Sequence, residues 1–361
     1  MGRACAVTTK PFANEFFISA STADVARNDA PAFSSALSKQ SIVTVASTLV
    51  SFWVNPRAMA SATSSTDRVG GTGGAEPDLQ AALAAIARDA GGSVGLAAVV
   101  VETGERLQLA GDQRFPMQSV FKLPLALTVL HLVDQGRLRL EVKVKLGPDD
   151  MRRGRSPVRD RWPTGVTLTI EELLRWMLAE GDNSAADVLL RLAGGPAAVT
   201  ARLRALKIEG VRVDRSEDEL TRELEPVRGQ AVFDAYLADP RDTATPGAMA
   251  DLLVVMARGR ELQPASHARL LGWMTETQTG LERIRALMPA GTAVADRTGG
   301  GPDFRGVNSC TNDVGLITLP DGRHLALAVF LKGSPLPTDE RDRVIARLAR
   351  AVYDHWAPGA R

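Results

Sequence analysis

The period of apolar positions along this chain changes twice. Leu79 to Ala90 places apolar residues at helical spacing, and Val94 to Glu102 is rich in β-formers before the turn-like Thr103-Gly104. A helix followed by a strand is expected there. A long helical stretch follows. It opens with a largely buried helix over Val120 to Val133 and continues with helices over Ile170 to Leu178, Asn183 to Ala193, Pro196 to Leu206, Pro246 to Ala257 and Ala265 to Met274. Strand-like runs return at Val314 to Leu319 and His324 to Leu331, flanking the hairpin signal Asp321-Gly322, and an amphipathic helix from Asp339 to Tyr353 closes the chain. The order predicts an α/β plus all-α architecture. Residues 77–112 and 275–361 form an α/β domain from both chain ends, and a helical domain, residues 113–274, is inserted between them.

The first 76 residues follow neither pattern. Lys39 precedes the apolar run Ile42 to Val54, which leads to the small-x-small sequence Ala58-Met59-Ala60. That is the arrangement of a cleavable export signal, and about 13 apolar residues fall short of the roughly 20 that span a bilayer. Residues 1–60 are thus expected to be an N-terminal extension and signal peptide cut near Ala60, giving a secreted or periplasmic protein without stable membrane association. Residues 61–76 read as a flexible linker. Their run Gly70-Gly71-Thr72-Gly73-Gly74 has no preceding strand and no following Gly-Lys-Ser/Thr, so it is not a phosphate loop.

Composition narrows the class. The 361 residues are 45% hydrophobic and 24% charged, enough for a large core, and 43 basic against 42 acidic residues leave a net charge of +1. No basic footprint for nucleic acid exists, so a small-molecule partner is expected. Cys5 and Cys310 fit neither a disulfide framework nor a metal set, and His131, His267, His324 and His355 fall in no catalytic or metal-binding spacing. No metal or other cofactor is implied.

The chemistry concentrates in four ordered segments. Ser119-Val120-Phe121-Lys122 is the one Ser-x-x-Lys of the chain and puts both side chains on one face of a helix, where an amine can take the proton of a hydroxyl that is otherwise a weak nucleophile. Gly181-Asp182-Asn183, Glu217 and Arg297-Thr298-Gly299 follow. With Phe115-Pro116-Met117-Gln118 ahead of Ser119, this set resembles the class A β-lactamases, whose signature is S-x-x-K, S-D-N and K-T-G. The resemblance covers about Leu79 to Trp356. It implies the β-lactamase/transpeptidase-like fold, an antiparallel five-stranded sheet flanked by helices with an inserted helical domain, and a monomer acting on a β-lactam.

Carried over residue by residue, the resemblance makes Ser119 the nucleophile, Lys122 its base and Glu217 the activator of the deacylating water. The backbone N–H groups of Ser119 and Gly300 form the oxyanion hole. Asn183, Arg297, Thr298 and Gly299 contact substrate. Arg283 stands where some relatives place a second arginine for the substrate carboxylate. Asp182 is a structural partner, and Arg215 pairs with Asp242 to close the loop that holds Glu217. Glu225-Pro226, in the same acidic stretch, is an alternative to Glu217.

The sequence departs from the family at several points. Gly181 replaces the serine whose hydroxyl relays a proton to the lactam nitrogen, a loss typically costing about two to four powers of ten in rate. Arg297 stands for the lysine, Arg155 for an aromatic gate and Thr221 for a water-holding asparagine. The loop from Glu217 to Asp242 is longer than usual. Two other activities stay open: a D-alanyl-D-alanine peptidase or other serine acyl-hydrolase, and a sensor module that β-lactams acylate without turnover.

Overall fold

The computed structural model describes residues 75–224, 227 and 229–357. The segment expected to be a signal peptide and most of the expected linker lie outside the described residues, as does Glu225-Pro226. Ala75 and Glu76, assigned to the linker by composition, are already the first residues of helix α1 (Ala75–Asp89). Next come β1 (Ser93–Val100), β2 (Arg106–Leu109) and β3 (Phe115–Pro116), then a 3-10 turn over Gln118–Phe121 and α2 (Lys122–Asp134). The middle of the chain contains β4 (Lys143–Leu146), α3 (Pro157–Arg161), β5 (Val166–Thr169), α4 (Ile170–Ala179), α5 (Asn183–Leu192) and α6 (Pro196–Ala205). It continues through α7 (Glu217–Leu224), α8 (Gln230–Ala238), β6 (Thr243–Ala244), α9 (Pro246–Arg258) and α10 (Pro264–Thr275). The C-terminal part is β7 (Val294–Gly300), β8 (Asp303–Phe304), β9 (Val307–Thr318), β10 (His324–Ser334) and α11 (Thr338–Trp356).

The main sheet is antiparallel and ordered β2-β1-β10-β9-β7, so strands from both chain ends interleave. Five strands form this path, and the two-residue β8 adds a short sixth on β9. Period-two alternation sorts the sheet's side chains between two cores. Leu96, Ala98 and Val100 of β1, with Leu325, Leu327, Val329 and Leu331 of β10, pack against Leu83 of α1 and Val344, Leu348 and Val352 of α11. Their neighbours Ala97, Val99, Ala326, Ala328 and Phe330 face the other way, into a larger cluster that runs on through α2, α4, α5, α9 and α10.

Local signals explain most helix starts. Thr169 and Glu172 form a reciprocal capping box, with Glu172 N–H donating to Thr169 Oγ1 (3.2 Å) and Thr169 N–H to Glu172 Oε2 (2.7 Å). Asp182 accepts the Ala185 N–H at 2.7 Å and starts α5 at Asn183. α2 differs from the expectation. The segment around Ser119 is a 3-10 turn, and the α-helix begins at Lys122, whose side chain is buried with those of the next eight residues. The long loop after Glu217 also differs, since it contains α7 and α8.

Candidate active site

Ser119 lies where the turn ahead of α2 meets β7 and the start of α5. Two contacts fix this turn to the sheet. Asn312 of β9 donates its amide to the carbonyls of Pro116 (2.8 Å) and Met117 (3.1 Å). On β7, Gly299 approaches so closely that a Cβ there would stand 2.3 Å from the Met117 carbonyl oxygen, so only glycine fits. Gln118, just before Ser119, has φ +46°, and its amide reaches the Tyr236 hydroxyl of α8 at 2.5 Å. A left-handed non-glycine backbone costs free energy, and here the surrounding packing imposes it beside Ser119.

Lys122 is fully buried, and four oxygens surround its amine. Nζ is 2.8 Å from Ser119 Oγ, 2.5 Å from Asn183 Oδ1, 3.0 Å from the Gly181 carbonyl and 2.9 Å from Glu217 Oε1. An ammonium has three protons for these four oxygens, so the arrangement can move a proton between Ser119, Lys122 and Glu217. Burial lowers the Lys122 pKa, Glu217 opposes that shift, and the nearby Arg297 cation adds to it.

Glu217 is the first residue of α7, and Asp187 of α5 holds that end in place. Asp187 Oδ1 accepts the Glu217 N–H at 2.7 Å, and its Oδ2 accepts the Asp218 N–H at 3.1 Å and Arg152 Nε at 2.5 Å. An anion is thereby set against a helix N-terminus. Sequence reasoning passed over Asp187, although it lies four positions from Asn183 and so on the same face of α5. Ser216 and Glu219 cap the same helix, Ser216 N–H donating to Glu219 Oε2 at 2.8 Å. The base of the loop is a network: Arg215 Nε lies 2.6 Å from Asp242 Oδ2, Asp242 Oδ1 accepts the Asp214 and Arg215 N–H groups at 2.7 and 3.0 Å, and Glu223 also contacts Arg215.

A cleft of about 270 Å³ opens over Ser119. Gln118, Ser119, Asn183, Glu217 and Gly300 line it with Gly154 and Arg155, while Leu220, Thr221 and Leu224 of α7 and Gly301-Pro302 close its other side. Ser119, Asn183, Glu217 and Gly300 thus meet in one cavity, and the wall from α7 is one that sequence reasoning missed. Asp182 lies beneath, bonded to Ser156 Oγ (3.1 Å) and the Val158 N–H (2.7 Å).

The Arg-Thr-Gly strand sits differently. Arg297 is 2% exposed, with Nε on the Ser119 carbonyl (3.2 Å) and Nη1 on the Leu178 carbonyl (3.2 Å) and Thr279 Oγ1 (3.4 Å). Burial lowers its pKa to about 10. Thr298 Oγ1 pairs with Thr279 Oγ1 at 2.6 Å. Neither residue lines the cleft. Arg283, expected to meet a substrate carboxylate, also bonds to the protein itself. Its Nε is held by Asp342 (2.7 Å), and its Nη1 binds the carbonyls of Gly299 (3.1 Å) and Asn312 (2.8 Å), bridging β7 and β9. Among the described residues no group of three or more His, Cys, Asp or Glu is arranged to hold a metal, and no helix is long and apolar enough to cross a membrane.

A family model described as "Beta-lactamase enzyme family" matches residues 78–356. The chain belongs to the β-lactamase enzyme family. It is 31% identical over 266 residues to the β-lactamase VEB-1 of Pseudomonas aeruginosa, covering 73% of this chain and 85% of that one. The extended-spectrum β-lactamase PER-1 of the same species is 35% identical over 263 residues, covering 72% and 82%. Among solved structures, a β-lactamase from Chitinophaga pinensis superposes with a TM-score of 0.71 at 34% identity, covering 77% of this chain and 98% of its own. A reconstructed ancestral class A β-lactamase gives 0.68 at 39% identity, covering 76% and 99%. The fold of this β-lactamase homologue is accordingly the β-lactamase/transpeptidase-like fold, as the sequence resemblance implied.

Proposed function

We propose that this β-lactamase family member is a class A serine enzyme that opens the β-lactam amide through an acyl-enzyme on Ser119. The observation that carries the proposal is the position of Lys122 Nζ, 2.8 Å from Ser119 Oγ and 2.9 Å from Glu217 Oε1, in a cleft both partners line. In acylation the Ser119 proton passes to the Lys122–Glu217 pair as Oγ bonds to the lactam carbonyl carbon. The N–H groups of Ser119 and Gly300 receive the developing oxyanion. In deacylation Glu217 takes a proton from the water that attacks the ester. Asn183, fixed by Lys122 and by the Arg153 carbonyl (3.1 Å from its Nδ2), presents its amide at the cleft. The protein acts as a monomer outside the cytoplasm, after removal of a leader near Ala60.

Hydrolysis of a penicillin and a chromogenic cephalosporin, followed together with intact mass, tests the mechanism on the mature protein. Ser119→Ala should form no adduct. Glu217→Gln should accumulate one, with turnover reduced by at least about 100-fold. A stable adduct on the unaltered protein would mean a sensor or peptidase-like acylation instead. No adduct with any β-lactam would end the proposal.

A further inference from the structure

Among the described residues that line the cleft over Ser119, two carry charge, Arg155 and Glu217, and Glu217 already faces Lys122 Nζ at 2.9 Å. Arg155 is anchored at its backbone and open at its tip. Its carbonyl accepts the Asn183 N–H at 2.9 Å, and its neighbour Ser156 bonds Asp182 at 3.1 Å, which ties this stretch to the start of α5. Its stem runs beside Gly181, where a Cβ would stand 3.4 Å from Arg155 Cδ, and the Gly181 carbonyl accepts from Lys122 Nζ at 3.0 Å. The guanidinium gives Nε to the Glu180 carbonyl and meets the Glu180 carboxylate through Nη2 at 3.4 Å, between side chains that are 51% and 34% exposed. Nη1 makes no hydrogen bond within the described residues.

Resting on the proposed acylation of Ser119, we infer that Arg155 receives the ring carboxylate of the β-lactam and makes the protein selective for lactams that carry one. Penicillins and cephalosporins bear this carboxylate on the carbon next to the lactam nitrogen, so a lactam carbonyl placed at Ser119 Oγ brings it to the cleft wall. Lys122, Arg297 and Arg283 do not line the cleft and are bonded to groups of the protein, and the Thr298 hydroxyl is paired with Thr279. Arg155 is the cation left facing it. A guanidinium offers two parallel N–H groups to the two oxygens of a carboxylate, and the long, exposed contact with Glu180 is exchanged for that pair at small cost. The opposite wall fixes the orientation. Leu220 and Leu224 of α7 are apolar there, and the acylamino arm, on the far side of the lactam ring from the carboxylate, meets them.

The test compares a chromogenic cephalosporin with its own methyl ester, two substrates that differ in the ring carboxylate alone, on wild-type protein, Arg155→Gln and Arg155→Lys. For the acid, Arg155→Gln should lower kcat/KM by about 5- to 30-fold, mainly through KM, the lower part of the range for a charged hydrogen bond because the pair stays partly in solvent. Arg155→Lys keeps the charge without the fork and should fall between the two. For the ester, both variants should stay within about twofold of wild type, which a merely structural role for Arg155 would not produce. Added salt should raise KM for the acid on wild-type protein more steeply than on Arg155→Gln.

Equal losses on acid and ester in Arg155→Gln would overturn the inference, and so would an acid that Arg155→Gln handles as wild type does. If Arg155→Gln does not fold, the acid-to-ester ratio of Arg155→Lys decides alone, and an unchanged ratio there counts against the inference. Wild-type protein that forms no adduct with either lactam would remove the proposed acylation and this inference together. Wild-type protein that is acylated normally, with an acid-to-ester ratio indifferent to residue 155, would remove the inference only.

Discussion

Lys122 illustrates how burial shifts the basicity of an amine. Its amine is held away from water, and desolvation lowers its pKa below the 10.5 of a free lysine despite Glu217. In the interval between the folded pKa and 10.5 the unfolded chain binds a proton that the folded chain has released, so stability rises with pH there. Wild-type protein should therefore gain stability relative to Lys122→Met as pH is raised toward 10.5, measured by denaturant midpoints, and a falling difference would contradict the lowered pKa. Cys310 shows the opposite sign of the same effect. Burial pushes its thiol up to about 12, and it is the free cysteine among the described residues. At pH 8 a disulfide reagent should leave Cys310 unmodified in native protein and label it within minutes in denaturant, because the thiolate is the reactive form.

At the scale of elements, α7 carries Glu217, the base of the proposed deacylation, and its placement depends on a helix terminus held by one aspartate. Asp187→Asn keeps the shape but removes the anion that faces the Glu217 and Asp218 N–H groups and Arg152. Deacylation should slow by at least tenfold while acylation changes little, giving a larger steady-state adduct population on intact mass. Gly299→Ala tests the seam between β7 and the nucleophile turn. The added methyl meets the Met117 carbonyl at 2.3 Å, and the strand must retreat, at a cost of about 1–3 kcal/mol readable as a lower melting temperature.

Elements with strong local signals were legible in the sequence. α4 follows its capping box and α5 follows Asp182. β9 and β10 follow the Asp321-Gly322 hairpin, and α11 follows its amphipathic pattern. α7 was not, because its sequence EDELTREL is too charged to show a wide apolar stripe. The Ser216 and Glu219 caps were nevertheless there to be read. The order Ser119, Lys122, Asn183, Glu217 was visible as motifs, whereas the burial of Arg297 was not, since it arises from packing between segments distant in the chain. The contacts of Arg283 were hidden for the same reason. Asp342, its ion-pair partner on α11, lies 59 positions away.

For the molecule as a whole, the two cores divide stability from chemistry. The cluster under α1 and α11 is separate from the one that surrounds α2, and Leu83 sits in it fully buried. Phe233 of α8 and Phe304 of β8 approach with ring centroids 5.6 Å apart. This contact joins the enlarged loop to the strand segment that carries Gly301 and Pro302, both of which line the cleft. Leu83→Ala removes buried volume far from Ser119 and should cost about 2–5 kcal/mol of stability with kcat/KM unchanged below the melting transition. Phe304→Ala removes an aromatic pair worth about 0.5–1.5 kcal/mol beyond its buried area, a smaller loss, but one two residues from Pro302, which lines the cleft. It should raise KM for substrates with a bulky acylamino group while leaving the acylation rate at saturation nearly intact. Melting curves and steady-state kinetics on the two variants give the contrast. Equal kinetic effects would mean that the α1–α11 core and the cleft are coupled across the sheet, and that the loop's aromatic contact does not shape substrate entry.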